Sequence, residues 1–260
     1  MFTTPSFRLD GRRALVTGAS KGLGLAAACA LAQAGAQVLV VARNATELIA
    51  ACASIDGACG NKDLRSSYAV LNVQDSAAVD ALFAQYGPFD VVVNNAGTSR
   101  PRLLAEATND DLDVILDLNI KAAFYVARAA ARSMLAAVAQ GKKGGSIINM
   151  SSQMGHIGAA KRTAYCASKH AVEGMSKALA WELGSHNIRV NTICPTYIET
   201  PMTAPLLASK EFMDWAVPKI ALGRIGQPEE VMGAIVFLAS DASSLMTGSA
   251  LMLDGGWTAA

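Results

Sequence analysis

The 260-residue sequence carries little charge and almost no excess of either sign. Charged residues make up 17% of the chain and the net charge is +1, so nothing favours nucleic acid or an anionic membrane as a partner. The five cysteines are an odd number and lack the paired spacing of a metal site. We therefore expect no disulfide framework and no metal, but small buried thiols in a reducing cytosol. The N-terminal residues lack the apolar core of a signal peptide, which predicts a cytoplasmic protein.

Nothing in the sequence divides it into parts. No linker rich in Pro, Gly or Ser and no internal repeat interrupts it, so we expect one domain over residues 1–260. Residues 22–42 are uncharged over the length of a membrane span. Gln33, Gly35 and Gln37 interrupt this stretch, which therefore reads better as a helix, a turn and a short strand.

Short apolar runs alternate with longer helical patterns along the whole chain. Strands are predicted at 14–17, 37–42, 67–71, 90–94, 146–150, 189–194 and 250–253. Helices are predicted at 23–34, 76–86, 110–139, 163–183 and 228–238. Strands that are apolar on both faces and separated by helices predict a parallel sheet covered on both sides. Residues 196–227 lack clear periodicity, which predicts a substrate loop or lid within the domain.

Tyr165 and Lys169 have the spacing that places two side chains on one face of a helix, one turn apart. A phenol with a pKa of ~10 is barely ionised at neutral pH. An ammonium within ~4–6 Å lowers such a pKa by roughly 1–3 units. We therefore predict that Lys169 lowers the pKa of Tyr165 and makes it a usable proton donor and acceptor. The same spacing also suits a lysine stem lying beside a half-buried ring.

A glycine-rich turn, Gly18-x-x-x-Gly22-x-Gly24, joins the first predicted strand to the first predicted helix. Glycines allow a tight turn and let backbone N–H groups approach a pyrophosphate at a helix N-terminus. Such a turn is also found without a ligand. Its place between a first strand and an apolar helix favours dinucleotide binding.

Five motifs together resemble those of the short-chain dehydrogenases/reductases. They are Thr17-Gly-x-x-x-Gly-x-Gly24, Asn94-Asn-Ala-Gly97, Ser152, Tyr165-x-x-x-Lys169 and Asp254-Gly-Gly256, in the family's order over about residues 9–257. The resemblance implies an α/β fold, a single-domain, Rossmann-type, doubly wound sheet of seven parallel strands with helices on both faces. It implies hydride transfer between NAD(P)(H) and a carbonyl or secondary alcohol. It also implies a homotetramer built from helices 110–139 and 163–183 and from the C-terminal strand region, although the alanine-rich residues 122–139 would equally suit an internal core.

The resemblance also implies roles for single residues. Ser152 would hydrogen-bond the substrate oxygen, Tyr165 would move the proton, Lys169 would also bind the nicotinamide ribose, and Asn119 would hold a water relay. By themselves, Ser152 could equally cap a strand end and Asn119 could satisfy a buried helix. The predicted cofactor-binding residues are Gly18, Ser20, Lys21, Gly22, Leu23, Gly24, Arg43, Asn72, Val73, Asn95, Ala96, Gly97, Tyr165, Lys169, Pro195, Ile198 and Thr200.

Two positions depart from the family pattern. Asn72 stands where aspartate is common beside the adenine, and its side-chain oxygen can still accept a hydrogen bond there. Thr196 replaces a frequent glycine. Because threonine does not take a positive φ cheaply, the backbone near the nicotinamide should differ locally.

The end of the second strand bears on the choice of cofactor. Ala42 and Arg43 stand where an acidic residue would bind the 2′-hydroxyl of NAD and repel a 2′-phosphate. Arg43 and Lys21 supply two cations, and no carboxylate is apparent. This combination favours NADP, with NAD as the alternative if Arg43 is merely a solvated charge.

The substrate is predicted less directly. Gln153, His156, Arg162 and Tyr197 are candidate contacts, and such polar groups suit a sugar, polyol or sugar acid. The sequence around them resembles bacterial sugar-acid dehydrogenases of the gluconate 5-dehydrogenase type. A packed or surface histidine is an equal alternative for His156.

Two other functions remain open. A 3-oxoacyl-carrier-protein reductase would need a basic patch for its acidic carrier, which Arg100, Arg102, Lys161 and Arg162 could supply. A non-catalytic NADPH-binding regulator is the other alternative. The intact set of four catalytic residues argues against it.

Overall fold

Seven parallel strands form one sheet in the order β3-β2-β1-β4-β5-β6-β7. The computed structural model describes residues 2–60 and 65–259, so part of the predicted domain (Met1, residues 61–64 and Ala260) lies outside the described residues. The strands are β1 (Arg13–Thr17), β2 (Gln37–Ala42), β3 (Ser67–Val70), β4 (Val91–Asn94), β5 (Ser146–Met150), β6 (Arg189–Pro195) and β7 (Ala250–Leu253). Each predicted strand is confirmed within one residue at either end.

Helices cover both faces of the sheet. They are α1 (Gly22–Gln33), α2 (Ala45–Ala58), α3 (Ser76–Tyr86), α4 (Asn109–Leu116), α5 (Ala123–Ala139), α6 (Thr163–Leu183), α7 (Ala204–Leu207), α8 (Lys210–Ala216) and α9 (Glu229–Ala239). Helices α1, α2 and α9 pack on one face, and α3, α5 and α6 pack on the other. The doubly wound α/β fold predicted above is confirmed.

Alternate residues of the central strands supply the two cores. In β1, Val16 faces the core under α1 and α9, whereas Leu15 faces the core under α3 and α5. Val93 and Val92 divide in the same way in β4. Because the strands are apolar on both faces, the sheet is buried on both sides, and polar groups gather where the strands end.

The predicted helix 110–139 is not regular. A Thr108–Asp111 capping box begins α4, and a π-helical turn at Asp117–Ala122 separates α4 from α5. The continuous helical stretch Asn109–Ala139 is long and apolar enough to span a membrane by length and composition, but half of its most apolar window is buried in the protein. It packs against α3 and α6, as expected of a core helix.

Two other regions differ from the sequence prediction. Helix α2 was not predicted, although Asn44 caps it by accepting a hydrogen bond from the Glu47 N–H at 3.2 Å. Residues 196–227, predicted as a loop, contain the short helices α7 and α8. The short helices α7 and α8 give too few turns for periodicity to be recognised, whereas α2 is long enough but mixes apolar and polar positions.

Candidate active site

A cleft of about 650 Å³ lies at the carboxyl ends of the strands. The strand order reverses between β1 and β4, where open α/β sheets bind their ligands. Every residue predicted to bind the cofactor lies in its lining, and so do Ser152, Tyr165 and Lys169. Residues scattered from 18 to 200 therefore meet in one place.

The glycine-rich turn forms one wall of the cleft. Gly18 and Gly22 have φ of +63° and +59°, which disfavour any side chain. A Cβ on Gly24 would lie 2.3 Å from the Gly18 carbonyl oxygen. Asn95, at the end of β4, fastens the turn by donating from Nδ2 to the Thr17 carbonyl at 2.9 Å. The turn therefore needs glycine for its conformation and for its close contacts.

Ser152 and Tyr165 come from the end of β5 and the first turn of α6. The Ser152 hydroxyl is buried and accepts a hydrogen bond from the Met154 N–H at 3.2 Å. Tyr165 is half-buried, and the neighbouring Ser152 hydroxyl favours its ionised form. The two hydroxyls therefore lie together at the edge of the cleft.

Lys169 lies one turn beyond Tyr165 on α6 and is 5% exposed. Its Nζ is 5.6 Å from the centre of the Tyr165 ring and donates to the Met150 carbonyl at 2.8 Å. The amine is thus fixed between the end of β5 and the tyrosine ring.

Asn119 lies in the π-helical turn and is 1% exposed. Its Oδ1 accepts from the Thr98 N–H at 2.8 Å, and its Nδ2 donates to the Thr98 carbonyl at 2.9 Å and to Ser168 Oγ at 3.1 Å. A Cβ on Gly97 would lie 3.3 Å from Asn119 Oδ1 and 3.7 Å from Lys169 Nζ. Asn119 and Lys169 therefore flank Gly97 at the base of the cleft. π-Turns of this kind are frequent at functional sites.

Comparison with known proteins agrees with this geometry. A family model described as enoyl-(acyl carrier protein) reductase matches residues 18–258. The gluconate 5-dehydrogenase of Gluconobacter oxydans (strain 621H) is 40% identical over 256 residues, which cover 97% of this chain and 96% of that protein. The chain belongs to the short-chain dehydrogenase/reductase family. It is therefore an NAD(P)-dependent oxidoreductase that acts on CH–OH groups, as predicted from its motifs.

Two further members of the family are closely similar. A 3-oxoacyl-[acyl-carrier-protein] reductase of Thermotoga maritima is 40% identical over 253 residues, which cover 96% of this chain and 98% of that protein. The crystal structure of a gluconate 5-dehydrogenase from Burkholderia cenocepacia in complex with NADP and tartrate superposes with a TM-score of 0.89. It is 35% identical and covers 98% of both chains.

The family's dinucleotide fits the residues of this short-chain dehydrogenase/reductase. Among the residues that the structure describes, no side chain caps the N-terminus of α1, and its first turn has no acidic residue, so the helix N–H groups remain available to a pyrophosphate. Gly18, Gly22 and Gly24 keep that surface free of side chains. When bound, the dinucleotide supplies or accepts the hydride.

The predicted pKa of Tyr165 is wrong in direction. Burial raises the pKa of the Tyr165 hydroxyl, and the neighbouring Ser152 hydroxyl and the charge of Arg162 offset this only in part. Burial also lowers the pKa of Lys169 to about 8. The sequence shows which charge is nearby but not how much solvent each group loses on folding.

The expectation that no carboxylate lies near the ribose end of the cleft is also wrong. Glu47, in the first turn of α2, lines the cleft together with Arg43. Its carboxylate accepts hydrogen bonds from Ser20 Oγ at 2.8 Å and from Lys21 Nζ at 3.2 Å. The signal for this residue was the Asn44-x-x-Glu47 pattern, which marks a helix start.

Both residues that depart from the family pattern lie in the cleft lining. Asn72 Oδ1 accepts from the Gln74 N–H at 3.2 Å. Thr196 does not adopt a positive φ, and its Oγ1 is buried without a hydrogen-bond partner in the described part of the chain.

The four predicted substrate contacts do not lie in the lining of this cleft. Gln153 is 1% exposed, with both side-chain polar atoms lacking partners among the described residues. Arg162 is closer to the site, since its Nη1 donates to Ser99 Oγ at 2.6 Å. Tyr197 packs with Tyr165 in one apolar cluster.

His156 contacts a buried pair instead. Its Nε2 lies 3.4 Å from Glu173 Oε1 and 3.5 Å from Cys194 Sγ. A ring nitrogen of His156, a carboxylate oxygen of Glu173 and the Cys194 sulfur all lie within 4.8 Å of one another, a grouping that the sequence spacing did not reveal. The Glu173 carboxylate already accepts from Cys194 Sγ at 3.2 Å and from Thr192 Oγ1 at 3.0 Å. Burial raises the pKa of the Cys194 thiol to about 12, so the thiol is a hydrogen-bond donor here.

The basic patch considered for an acidic carrier is partly neutralised. Arg100 Nη1 lies 2.7 Å from Asp110 and 3.2 Å from Asp111, and Arg102 Nε lies 3.1 Å from Asp111. Two of its four cations are therefore already paired with carboxylates.

Proposed function

We propose that this chain is an NADP(H)-preferring oxidoreductase of sugars, polyols or sugar acids, with Tyr165 as the proton donor and acceptor. The observation that carries the proposal is the convergence of Ser152, Tyr165, Lys169 and Asn119 around one end of the cleft. The residues that would bind the ribose end of the cofactor line the other end.

The roles follow from the contacts. Tyr165 transfers the proton to or from the substrate oxygen, and Ser152 hydrogen-bonds that oxygen as its charge develops. Lys169, 5.6 Å from the tyrosine ring centre, stabilises negative charge on the phenol. Asn119 holds the Thr98 backbone and the base of the cleft in place.

We further propose that residues 196–227 form a lid over this end of the cleft. The Tyr197 ring packs edge-to-face or tilted against Phe212 and Trp257, whose ring centres lie 4.9 Å and 5.7 Å from its own. This aromatic cluster packs against Tyr165 and would exclude water from the proton transfer.

Two observations support a polar, carboxylated substrate. Arg162 is half-buried three residues before Tyr165, and none of the ion pairs in the described residues includes it. A guanidinium without a carboxylate partner suits the carboxylate of a sugar acid. The similarity to two gluconate 5-dehydrogenases points the same way.

The decisive experiment compares kcat/KM for keto-sugar acids, keto-sugars and acetoacetyl thioester, each with NADPH and NADH. We expect the keto-sugar acids with NADPH to be preferred at least tenfold. A preference for the thioester would establish the 3-oxoacyl-carrier-protein reductase instead, which the 40% identity to such an enzyme favours. Cofactor binding without turnover of any substrate would establish the non-catalytic regulator.

We also propose a cytoplasmic homotetramer. Phe124 on α5 and Trp181 on α6 are 48% and 90% exposed, more than large apolar side chains usually are. Both helices belong to the region through which we expect subunits to associate. Light scattering of the purified protein distinguishes a tetramer from a dimer or monomer.

A further inference from the structure

The first turn of α2 carries a carboxylate that serves the cleft rather than its own helix. In a complete capping box, the side chain of the third helical residue accepts from the N-cap backbone N–H. Here Asn44 accepts from the Glu47 N–H, but the Glu47 carboxylate bonds across to Ser20 and Lys21 of the glycine-rich turn. The carboxylate therefore sits among the residues that would recognise the 2′ position of a ribose.

The charges at this end of the cleft oppose one another. Lys21 and Arg43 are cations, whereas Glu47 is an anion 3.2 Å from Lys21 Nζ. The side chains of Lys21 and Glu47 are 61% and 40% exposed, so both are accessible to a ligand. The hydrogen bonds from Ser20 and Lys21 hold the pKa of Glu47 below its usual range, which keeps it ionised at neutral pH.

We propose that Glu47 is a cofactor-selectivity residue that limits the preference for a 2′-phosphate. Its carboxylate would repel a 2′-phosphate. It also already accepts hydrogen bonds that Ser20 and Lys21 could otherwise donate to the phosphate. A 2′-hydroxyl would instead donate to it. This inference rests on the dinucleotide-binding function proposed above, and it makes the enzyme able to use both NADP and NAD.

Binding of cofactor fragments tests the proposal without turnover. Calorimetric titration with 2′,5′-ADP and with 5′-AMP compares a ribose with and without the 2′-phosphate. Glu47→Gln keeps the shape and one acceptor for Ser20 but removes the charge. We expect it to raise the affinity for 2′,5′-ADP roughly tenfold and to leave 5′-AMP within about twofold. In ~1 M salt the gain should largely vanish, because the Debye length falls to about 3 Å.

Glu182→Gln is the matched control. Glu182 is an exposed carboxylate near the end of α6, thirteen residues or about 20 Å from Lys169 along the helix. Glu182→Gln makes the same change in net charge as Glu47→Gln and should leave the affinities for 2′,5′-ADP and 5′-AMP unchanged. Glu47→Ala is a second test variant, which also removes the hydrogen bond from Ser20 and should still favour 2′,5′-ADP.

The outcomes separate this inference from the choice of NADP. Wild-type protein that binds 5′-AMP as tightly as 2′,5′-ADP, with a selective gain in Glu47→Gln, would contradict the NADP preference and support the role of Glu47. Equal changes for both fragments, or no change in either Glu47 variant, would overturn the inference while leaving the NADP preference intact.

Discussion

Lys169 Nζ lies 5.6 Å from the centre of the Tyr165 ring and is held there by a 2.8 Å hydrogen bond to the Met150 carbonyl. This bond ties the amine to Met150, the last residue of β5, which lies two residues before Ser152. Helix α6 and β5 together therefore set the distance between the amine and the phenol. Burial raises the pKa of Tyr165 and lowers that of Lys169, so it favours the neutral form of both groups.

Replacing Tyr165 with phenylalanine removes only the hydroxyl. We expect kcat to fall by about 10²–10⁴-fold, since a positioned proton donor contributes that much. Fluorescence titration should show NADPH binding within about threefold of wild type. Turnover close to the wild-type value would remove Tyr165 from the proposed mechanism.

The pH profile of carbonyl reduction should report Lys169. Its pKa of about 8 lies below the ordinary 10.5, so it loses its proton as the pH rises through 8. Because the protonated amine stabilises charge on Tyr165, we expect kcat/KM for reduction to fall above about pH 8. Glu173 partly offsets the effect of burial by raising the pKa of Lys169. Glu173→Gln should therefore move the fall in kcat/KM to lower pH, and a shift to higher pH would contradict the assignment of this fall to Lys169.

Two glycine substitutions separate the cleft from the rest of the fold. Gly24→Ala places a Cβ 2.3 Å from the Gly18 carbonyl oxygen and 2.5 Å from Asn95 Nδ2, so nucleotide affinity should fall at least tenfold. Gly57→Ala, near the end of α2, meets no atom of the described residues within 4 Å. It should leave binding unchanged and stabilise the helix by about 0.5–1 kcal/mol. Calorimetry and urea unfolding measure both effects. Unchanged binding in Gly24→Ala would show that the turn is not part of the nucleotide site.

Asn119→Ala tests the π-helical turn. It leaves the Thr98 N–H and carbonyl without their partner, which should reduce the free energy of unfolding by about 2–4 kcal/mol and abolish most turnover. Asn191 is a matched control, because it is buried and also bridges backbone groups, the Met246 carbonyl at 2.7 Å and the Ser249 N–H at 3.1 Å. Asn191→Ala should lose similar stability but keep its kcat at temperatures where it is folded. Equal activity losses in the two variants would show that Asn119 is only structural.

Arg162→Gln tests substrate recognition. If its guanidinium binds a substrate carboxylate, KM for sugar acids should rise about tenfold or more, because a charged hydrogen bond is lost. KM for neutral polyols should change less than about threefold. Lys161→Gln removes a neighbouring exposed cation and should affect neither class. A similar rise in KM for both classes would assign Arg162 to the packing around Ser99 and Tyr197.

The sequence by itself determined the strands and most long helices. The strands agree with prediction because most are short apolar runs, and the central ones alternate between the two cores, as Leu15 and Val16 do. The glycine-rich turn and the Tyr165–Lys169 spacing could also be predicted, because both are local features of the sequence. Backbone conformation and helical periodicity act over a few neighbouring residues, and those neighbours are given by the sequence.

Tertiary structure decided the electrostatics of the site. The pKa of Tyr165 depends on burial beneath segments distant in the chain, and the sequence gives no measure of that burial. Glu47 reaches Ser20 and Lys21 only because α2 begins beside the glycine-rich turn. Arg100 is neutralised because the capping residue Asp111 is folded against it. Distances between groups remote in sequence and the solvent left around them arise from packing, and these two quantities set the charges with which the site works.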